Sequence, residues 1–209
     1  MKTPEINIVV LASGLSSRMG EQKLLLPLKG KTLLDHVLIK AKSSCISKLL
    51  TVVPAKNKEI KKIVFSHNAR LICNFQPENG IGSSLALGVK NLPKTTDAVI
   101  VLLGDQPEIQ IEDINRITDY FLNHCSSLAN PGTSGTIIQT CYKDKRCGHP
   151  VLFSKEFFQA ICQLNGDSGG KHIIRSNPRN LIKIHSPNIY PCDIDTPNDY
   201  QKLLIRNKV

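Results

Sequence analysis

Short apolar runs alternate with amphipathic segments along the first half of the chain. The runs are typical of strands covered on both faces, and they are Ile6 to Leu11, Lys48 to Val53, Leu71 to Cys73 and Ala98 to Leu103. The segments with apolar residues at helical spacing are Leu33 to Ser43, Lys56 to Phe65, Ser83 to Lys90 and Ile111 to Asn123. Strands that alternate with helices in this way predict right-handed crossovers and a mostly parallel sheet.

The second half of the chain has a less regular pattern. A turn cluster at Asn130 to Gly135 is followed by predicted elements at Thr136 to Cys141, Val151 to Phe153, Lys155 to Cys162 and Leu181 to Ile184, with a glycine-rich turn at Gly166 to Gly170. Tyr190 to Pro197 is predicted to be a short strand before a C-terminal helix, so that Asp193 and Asp195 share one face. No internal repeat or low-complexity linker interrupts the pattern, which favours one domain over residues 1–209.

Composition and charge narrow the class of protein. The chain has 209 residues, 41% of them hydrophobic and 21% charged, which is typical of a folded globular protein. It contains neither the roughly eighteen consecutive apolar residues of a membrane span nor a signal-peptide pattern, so we expect a cytoplasmic protein with no membrane partner. The net charge of +10 favours anionic ligands. Aromatic residues make up 5% and are not interleaved with basic residues, so no nucleic-acid partner is expected.

The seven cysteines do not form a recognisable pattern. Their number is odd and no C-x-x-C pair occurs among positions 45, 73, 125, 141, 147, 162 and 192. We therefore predict reduced, mostly buried thiols rather than a disulfide scaffold or a zinc site.

Small residues follow the first predicted strand, and two cations accompany them. The backbone amides between Ala12 and Gly20 can approach phosphate oxygens closely, while Arg18 and Lys23 can neutralise charge. The P-loop pattern fails because Leu25 stands where it requires glycine, and the dinucleotide pattern G-x-G-x-x-G is also missing. The residues alone leave two interpretations, an anion-binding loop or an ordinary turn from strand to helix with surface cations.

Other candidate residues also have two interpretations each. Asp105 follows the most apolar strand, where a carboxylate can hold Mg²⁺ against phosphate oxygens, but it could simply form a turn before a proline. Asp195 could bind the same metal or stabilise the start of the C-terminal helix. Ser84 follows a glycine-rich turn at the start of a predicted helix, where it could simply cap the helix, and His149 before a proline could simply be a turn residue.

The pattern L-A-x-G-x-S-x-R-M-G-x-x-K beginning at Leu11 resembles the N-terminal signature of nucleotidyltransferases that act on molybdopterin. More narrowly, it is similar to molybdenum cofactor cytidylyltransferases. Further motifs of that family follow in order at Gly80 to Gly88, Gly104 to Pro107, Gly148 to Phe153, Gly166 to Gly170 and Asp193 to Pro197. The resemblance covers nearly the whole chain. It implies an α/β fold, a three-layer α/β/α sandwich of the Rossmann-like nucleotidyltransferase type with a mixed, mostly parallel sheet.

The resemblance also implies that the two halves of the domain bind different substrates. The nucleotide-binding half covers about residues 1–110, and the acceptor-binding half covers about residues 111–209. The implied nucleotide contacts are Leu11, Ala12, Ser13, Gly14, Arg18, Lys23, Gly80, Gly82, Ser84 and Asp105. The implied acceptor contacts are Gln106, Pro107, Gly148, His149, Pro150, Asp167 and Gly169. The implied catalytic residues are Lys23, Arg18 and Asp105. Mg²⁺, with Mn²⁺ as the alternative, would be held by Asp105 and Asp195.

The activity implied by the resemblance is transfer of CMP from CTP to the terminal phosphate of molybdopterin, with release of pyrophosphate. A molybdoenzyme would then receive the product. Guanylyl enzymes of this kind tend to carry Gly-Gly where this chain has Ala12-Ser13-Gly14, which favours CTP over GTP. Two alternatives remain: guanylyl or sugar-phosphate nucleotidyl transfer on the same fold, and a non-catalytic chaperone of the molybdenum cofactor. Pyrophosphate release would separate the enzyme from the chaperone.

Overall fold

The computed structural model describes residues 3–46, 48–124 and 135–207. Cys125 and positions 130–134 of the predicted turn cluster lie outside the described residues. The strands are β1 (Ile6–Leu11), β2 (Pro27–Leu28), β3 (Lys31–Thr32), β4 (Leu49–Pro54), β5 (Arg70–Asn74), β6 (Ala98–Leu103), β7 (Ile137–Cys141), β8 (Cys147–Ser154) and β9 (Leu181–His185). The α-helices are α1 (Leu33–Ser43), α2 (Lys58–Ser66), α3 (Gly80–Lys90), α4 (Ile111–His124), α5 (Phe158–Cys162), α6 (Lys171–Ser176) and α7 (Pro197–Arg206). None of these helices has the length and apolar character needed to cross a membrane.

Seven of the strands form one mixed sheet in the order β5-β4-β1-β6-β8-β7-β9, and β2 pairs with β3 in a separate small hairpin. The large sheet is parallel except at β8, which runs antiparallel to both β6 and β7. The prediction of a mixed, mostly parallel sheet is therefore confirmed. Strands β4 and β6 lie on opposite sides of β1. The chain therefore continues from β1 to β4 and β5 on one side and then crosses to β6 on the other side. In open α/β sheets, ligands bind where the strand order changes direction in this way.

Alternate residues of the central strands face opposite layers of helices. Ile8 and Val10 of β1 belong to a core cluster with buried residues of α1, α2 and α4. Val9 and Leu11 belong to a second cluster with residues of α3, α5 and α6. Both faces of the sheet are thus covered, which explains why the central strands are almost continuously apolar. The predicted three-layer sandwich is confirmed by this arrangement.

The segment from Tyr190 to Pro197 does not form the predicted strand. Pro191 has no N–H to donate to a ladder, and the backbone crosses the end of the sheet instead, where the Ile194 N–H donates to the Asp105 carbonyl at 3.1 Å. Ile194 is buried in a third apolar cluster with Leu26, Leu33 and other residues. The prediction of a strand here is wrong, although Asp193 and Asp195 still line the same cavity.

The prediction of reduced cysteines is wrong for Cys141 and Cys147, which form a disulfide. They lie opposite each other on β7 and β8, with their Cα atoms 4.0 Å apart. Spacing in the sequence does not indicate this pair, because the contact depends on the turn that joins the two strands. Among the other cysteines of the described ranges, Cys45 is exposed and Cys73, Cys162 and Cys192 are half-buried, so the expectation of mostly buried thiols is also wrong.

Candidate active site

Hydrogen bonds within the loop after β1 fix its shape. The Ser16 hydroxyl donates to the Gln22 side chain at 2.8 Å and accepts from the Lys23 N–H at 3.2 Å. Met19 is buried in the third apolar cluster and anchors the middle of the loop. The Ser13 hydroxyl is buried and has no hydrogen-bond partner among the described residues. A buried hydroxyl without a partner costs free energy, which a ligand that hydrogen-bonds it would recover.

Lys23 lies at the centre of a charge cluster beyond this loop. Its ammonium nitrogen is 2.5 Å from Asp105 Oδ2 and 2.7 Å from Asp195 Oδ1. Asp105 comes from the loop after β6, and Asp195 comes from the segment before α7. Arg18 binds the other oxygen of Asp195 at 3.0 Å, and its own side chain is 68% exposed. The fold therefore brings together four residues that the sequence predicted as a catalytic and metal-binding set, and Lys23 is nearly buried among them.

The charges of this cluster shift the pKa values of its members. Burial opposes the ammonium form of Lys23, but the carboxylates of Asp105 and Asp195 outweigh burial and raise its pKa. Burial likewise opposes the charged form of Asp195, but Lys23 and Arg18 outweigh it and lower the pKa of that carboxyl. Burial and the charge of Asp105 raise the pKa of Asp193. Lys23 and Asp195 are therefore both charged at neutral pH.

Two cavities meet at this cluster. The first has a volume of about 480 Å³ and contains nearly all the predicted nucleotide contacts; they are Leu11, Ala12, Ser13, Gly14, Arg18, Lys23, Gly80, Ser84 and Asp105. The second has a volume of about 580 Å³ and contains four of the predicted acceptor contacts; they are Gly148, His149, Asp167 and Gly169. Arg18, Asp105 and Asp195 line both cavities. A ligand in either cavity can therefore reach the same charged residues.

The remaining predicted contacts line neither of these cavities. Gly82 lies beneath the loop before α6, where a side-chain Cβ would come within 2.8 Å of the Asn165 carbonyl oxygen. Gln106 is fully buried and donates to Asp193 Oδ1 at 2.8 Å. Pro107 accepts a hydrogen bond from Lys40, and Pro150 accepts one from Thr140. Their contact with a ligand stays a prediction.

The cavities also contain residues that motif analysis missed. Pro77 and Glu78 line the first cavity, and Gln139, Lys171 and Tyr190 line the second. Lys171 directly follows the Gly166–Gly170 turn, which is the signal that could have identified it. Tyr190 precedes the Asp193–Pro197 motif without belonging to it. Burial and the nearby charge of Lys171 lower the pKa of His149 to about 4, so this histidine is neutral at pH 7.

The donor set around Lys23 fits a hard divalent cation that is shared with a ligand. Asp105 and Asp195 point carboxylate oxygens at one common position, which the Lys23 ammonium group occupies. Within the described ranges, no group of three His, Cys, Asp or Glu side chains is arranged to hold a metal by itself. Two carboxylates completed by phosphate oxygens and waters are a usual arrangement for Mg²⁺ in nucleotide-binding enzymes.

A sheet with this strand order, and an open loop and carboxylates beyond the ends of β1 and β6, define the protein as a nucleotidyltransferase. The chain belongs to the family of MobA-like NTP transferase domains, which it matches over residues 8–181. The resemblance in its N-terminal signature is thereby confirmed.

Among the proteins that match almost the full length of the chain are two curated relatives and a solved structure. The chain is 26% identical to the purine catabolism protein PucB of Bacillus subtilis over 96% of each chain. It is 26% identical to the molybdenum cofactor cytidylyltransferase of Escherichia coli over 93% of each chain. The crystal structure of Rv0371c from Mycobacterium tuberculosis has a TM-score of 0.81, at 25% identity, over 98% of this chain and 100% of that one. Rv0371c has also been solved in complex with manganese.

Proposed function

We propose that this nucleotidyltransferase transfers CMP from CTP to the terminal phosphate of molybdopterin and releases pyrophosphate. The observation that carries the proposal is the meeting of the two cavities at Arg18, Asp105 and Asp195. The Lys23 ammonium group binds both of these carboxylates from the side of the first cavity. A triphosphate in the first cavity and a phosphorylated acceptor in the second would both reach this position. The relative from Escherichia coli, named a molybdenum cofactor cytidylyltransferase, supports the choice of nucleotide and acceptor.

In this proposal, the loop from Ala12 to Arg18 wraps the triphosphate with its backbone amides. Lys23 and Arg18 place positive charge against the phosphate oxygens, where negative charge builds up as the acceptor phosphate attacks the α-phosphorus. The bond from the acceptor oxygen to the α-phosphorus forms as the bond from the α-phosphorus to the β-phosphate oxygen breaks, and pyrophosphate leaves. No covalent enzyme intermediate is required, because the acceptor phosphate is itself the nucleophile.

Asp105 and Asp195 would hold Mg²⁺, or Mn²⁺, and the bound ion would supply additional positive charge to the phosphate oxygens.

The lining of the second cavity supports a ring-containing acceptor. Val101, Leu103, Val151 and Phe153 give it an apolar part, and Gln139, His149, Lys171 and Asp193 give it polar groups. This combination suits a fused heterocycle with a phosphate better than it suits a sugar, whose hydroxyl groups require polar partners on most sides.

Pyrophosphate release tests the proposal. The complete reaction contains the protein, CTP, Mg²⁺ and anaerobically prepared molybdopterin, and control reactions omit one component each. We expect pyrophosphate only in the complete reaction, in proportion to the molybdopterin consumed. Binding of molybdopterin without pyrophosphate release would favour the cofactor chaperone, and release with a sugar phosphate in place of molybdopterin would favour the sugar-phosphate enzyme.

A further inference from the structure

Tyr190 forms part of the second cavity and is held there by aromatic and cationic neighbours. The guanidinium carbon of Arg146 lies 4.4 Å from the centre of the Tyr190 ring. The Tyr142 ring meets the same ring edge-on, with their centres 5.4 Å apart and an interplanar angle of 82°. Asp144 fixes Arg146 in turn, at 2.6 Å between Asp144 Oδ2 and a guanidinium nitrogen. The turn between β7 and β8 therefore holds the Tyr190 ring against the cavity.

Gly148 provides the space that the Tyr190 ring occupies. A Cβ at position 148 would lie 2.5 Å from Tyr190 Cε2 and 3.1 Å from the Tyr190 hydroxyl oxygen. Any larger residue at this position would displace the ring, because Cβ atoms do not approach other carbons this closely. Gly148 is not in the positive-φ region, so its backbone conformation does not require glycine. The contact with Tyr190 gives the physical reason for glycine at this position.

Asp193 and Gln106 lie close enough to the phenol of Tyr190 to act on its charge. Burial and the charge of Asp193 raise the pKa of Tyr190, so the phenol is uncharged at neutral pH. Gln106 fixes Asp193 through a hydrogen bond of 2.8 Å. The ring is therefore a neutral aromatic surface at one side of a cavity that also contains the apolar side chains of Val101, Val151 and Phe153.

We propose that Tyr190 binds the acceptor by packing its ring against a planar heteroaromatic ring, and that Gly148 keeps the tyrosine ring in place for this contact. The inference rests on the proposed function, which supplies the pyrimidinone ring of the pterin as the planar ring. Aromatic rings stack on heteroaromatic ligands with useful affinity at little cost in conformational entropy, and Arg146 reduces that cost further by fixing the ring before the ligand arrives. Tyr190 would thereby select planar acceptors over sugar phosphates.

Equilibrium titration with anaerobically prepared molybdopterin tests this inference on four variants. Tyr190→Leu removes the ring but keeps an apolar side chain, and we expect it to weaken molybdopterin binding by about tenfold. Tyr190→Phe keeps the ring and should bind within about twofold of the wild type. Gly148→Ala should weaken binding while leaving the tyrosine present. Tyr120→Leu is the matched control, since Tyr120 stacks on His124 of α4 and lines neither cavity.

The dissociation constant for CTP is measured on the same samples and should change in none of the variants, because Tyr190 does not line the first cavity. If Tyr190→Leu does not fold, Gly148→Ala compared with Tyr190→Phe gives the same test. The inference would be overturned if Tyr190→Leu bound molybdopterin with wild-type affinity. Where Tyr190→Leu does not fold, wild-type affinity in Gly148→Ala would overturn it. Either result would leave the proposed function unaffected. A wild-type protein that binds CTP but no molybdopterin would overturn the proposed function, and the inference with it.

Discussion

Lys23 is nearly buried, with 8% of its surface exposed, and its ammonium group lies between two carboxylates. Lysines are rarely buried to this extent unless they are paired. A surface cation, which the sequence left as one interpretation, would not be enclosed by residues from three separate parts of the chain. At the residue scale, the geometry therefore favours a role for Lys23 as a fixed positive charge in the first cavity, beside the two carboxylates that line both cavities.

Replacing Lys23 by alanine should reduce turnover by about a hundredfold or more, which is typical of losing one pre-positioned group that stabilises developing charge. Lys31→Ala is the matched control, because Lys31 is exposed in the β2–β3 hairpin and lines neither cavity. Turnover is measured by pyrophosphate release, and circular dichroism verifies that both variants fold. Wild-type turnover in a folded Lys23→Ala protein would remove Lys23 from the mechanism.

Asp195→Asn should lower activity steeply at low Mg²⁺ and recover part of it at high Mg²⁺, because an amide is a weaker ligand for a hard cation than a carboxylate. The structure provides a sharp control. Thr196 and Asp199, not Asp195, form the capping box of α7, with the Thr196 hydroxyl accepting from the Asp199 N–H. Asp199→Asn should therefore reduce stability by about 1 kcal/mol while its Mg²⁺ dependence stays that of the wild type.

An unchanged Mg²⁺ dependence in Asp195→Asn would contradict a metal-binding role for this carboxylate. Asp105 would then hold the metal with Asp193 or with phosphate oxygens alone. The stability of the same variant, measured by urea unfolding, separates loss of a metal ligand from loss of the salt bridges to Lys23 and Arg18.

At the scale of elements, the sequence predicts most where an apolar run lies between clear boundaries. β6 begins at Ala98 and ends at Leu103, as predicted, because Asp97 and Gly104 bracket six apolar residues. β8 begins at Cys147, four residues before the predicted start. Gly148 and Pro150 are typical of a turn, but in the folded sheet Gly148 pairs with Thr140 of β7, and Pro150 lies where the register between the two strands shifts. The antiparallel direction of β8 depends on contacts across the sheet, which local periodicity does not contain.

The candidate site shows the same limit. Loop and carboxylate residues could be predicted because small residues and charges stand out at the ends of apolar strands. Tyr190 could not, because its position depends on Gly148, Tyr142 and Arg146, which a turn of β7–β8 brings to it. The enclosure of Lys23 likewise depends on Asp195, which lies 172 positions further along the chain.

The disulfide across β7 and β8 can be checked by peptide mapping. Trypsin cuts after Lys143, Lys145 and Arg146, so a bond between Cys141 and Cys147 joins two peptides that separate on reduction. We expect the linked pair in protein purified and digested without reductant. Peptides that carry Cys73 and Cys162 should be alkylated without prior reduction, which serves as the internal control. Alkylated Cys141 and Cys147 in unreduced protein would show that the two thiols are free.

At the scale of the whole molecule, the order of the strands determines where the site lies. Leu11 ends β1 and Leu103 ends β6, and both residues line both cavities. The first cavity extends from these strand ends to α3, and the second extends to the antiparallel strand β8. Strands β1 and β6 thus border both proposed sites, and the antiparallel strand β8 borders only the proposed acceptor site.

His149 should contribute to the acid sensitivity of the whole fold. Its pKa is lowered to about 4 from 6.5 by burial, with Lys171 adding to the shift, so between these values the unfolded chain binds more protons than the folded one. This histidine therefore leaves the free energy of unfolding unchanged above about pH 6.5. As the pH drops from there towards 4, it lowers the free energy of unfolding by up to about 1.4 kcal/mol per pH unit.

Urea unfolding of the wild type and of His149→Phe between pH 4 and 8 measures this slope. The change with pH in the stability difference between the two proteins isolates His149 from the carboxyl groups that titrate over the same range, and this difference should be constant above pH 7. Parallel curves from pH 4 to 8 would show that His149 protonates equally in the folded and unfolded chains.

The proposed cytidylyl transfer is tested most directly by letting nucleotides compete. Wild-type protein is incubated with Mg²⁺, molybdopterin and equal concentrations of CTP, GTP, ATP and UTP, and the products are identified by mass spectrometry. We predict that the molybdopterin product carries CMP, and that Lys23→Ala forms almost none of it. Molybdopterin that carries GMP would assign the protein to guanylyl transfer, and unmodified molybdopterin with all four nucleotides present would contradict the proposed function.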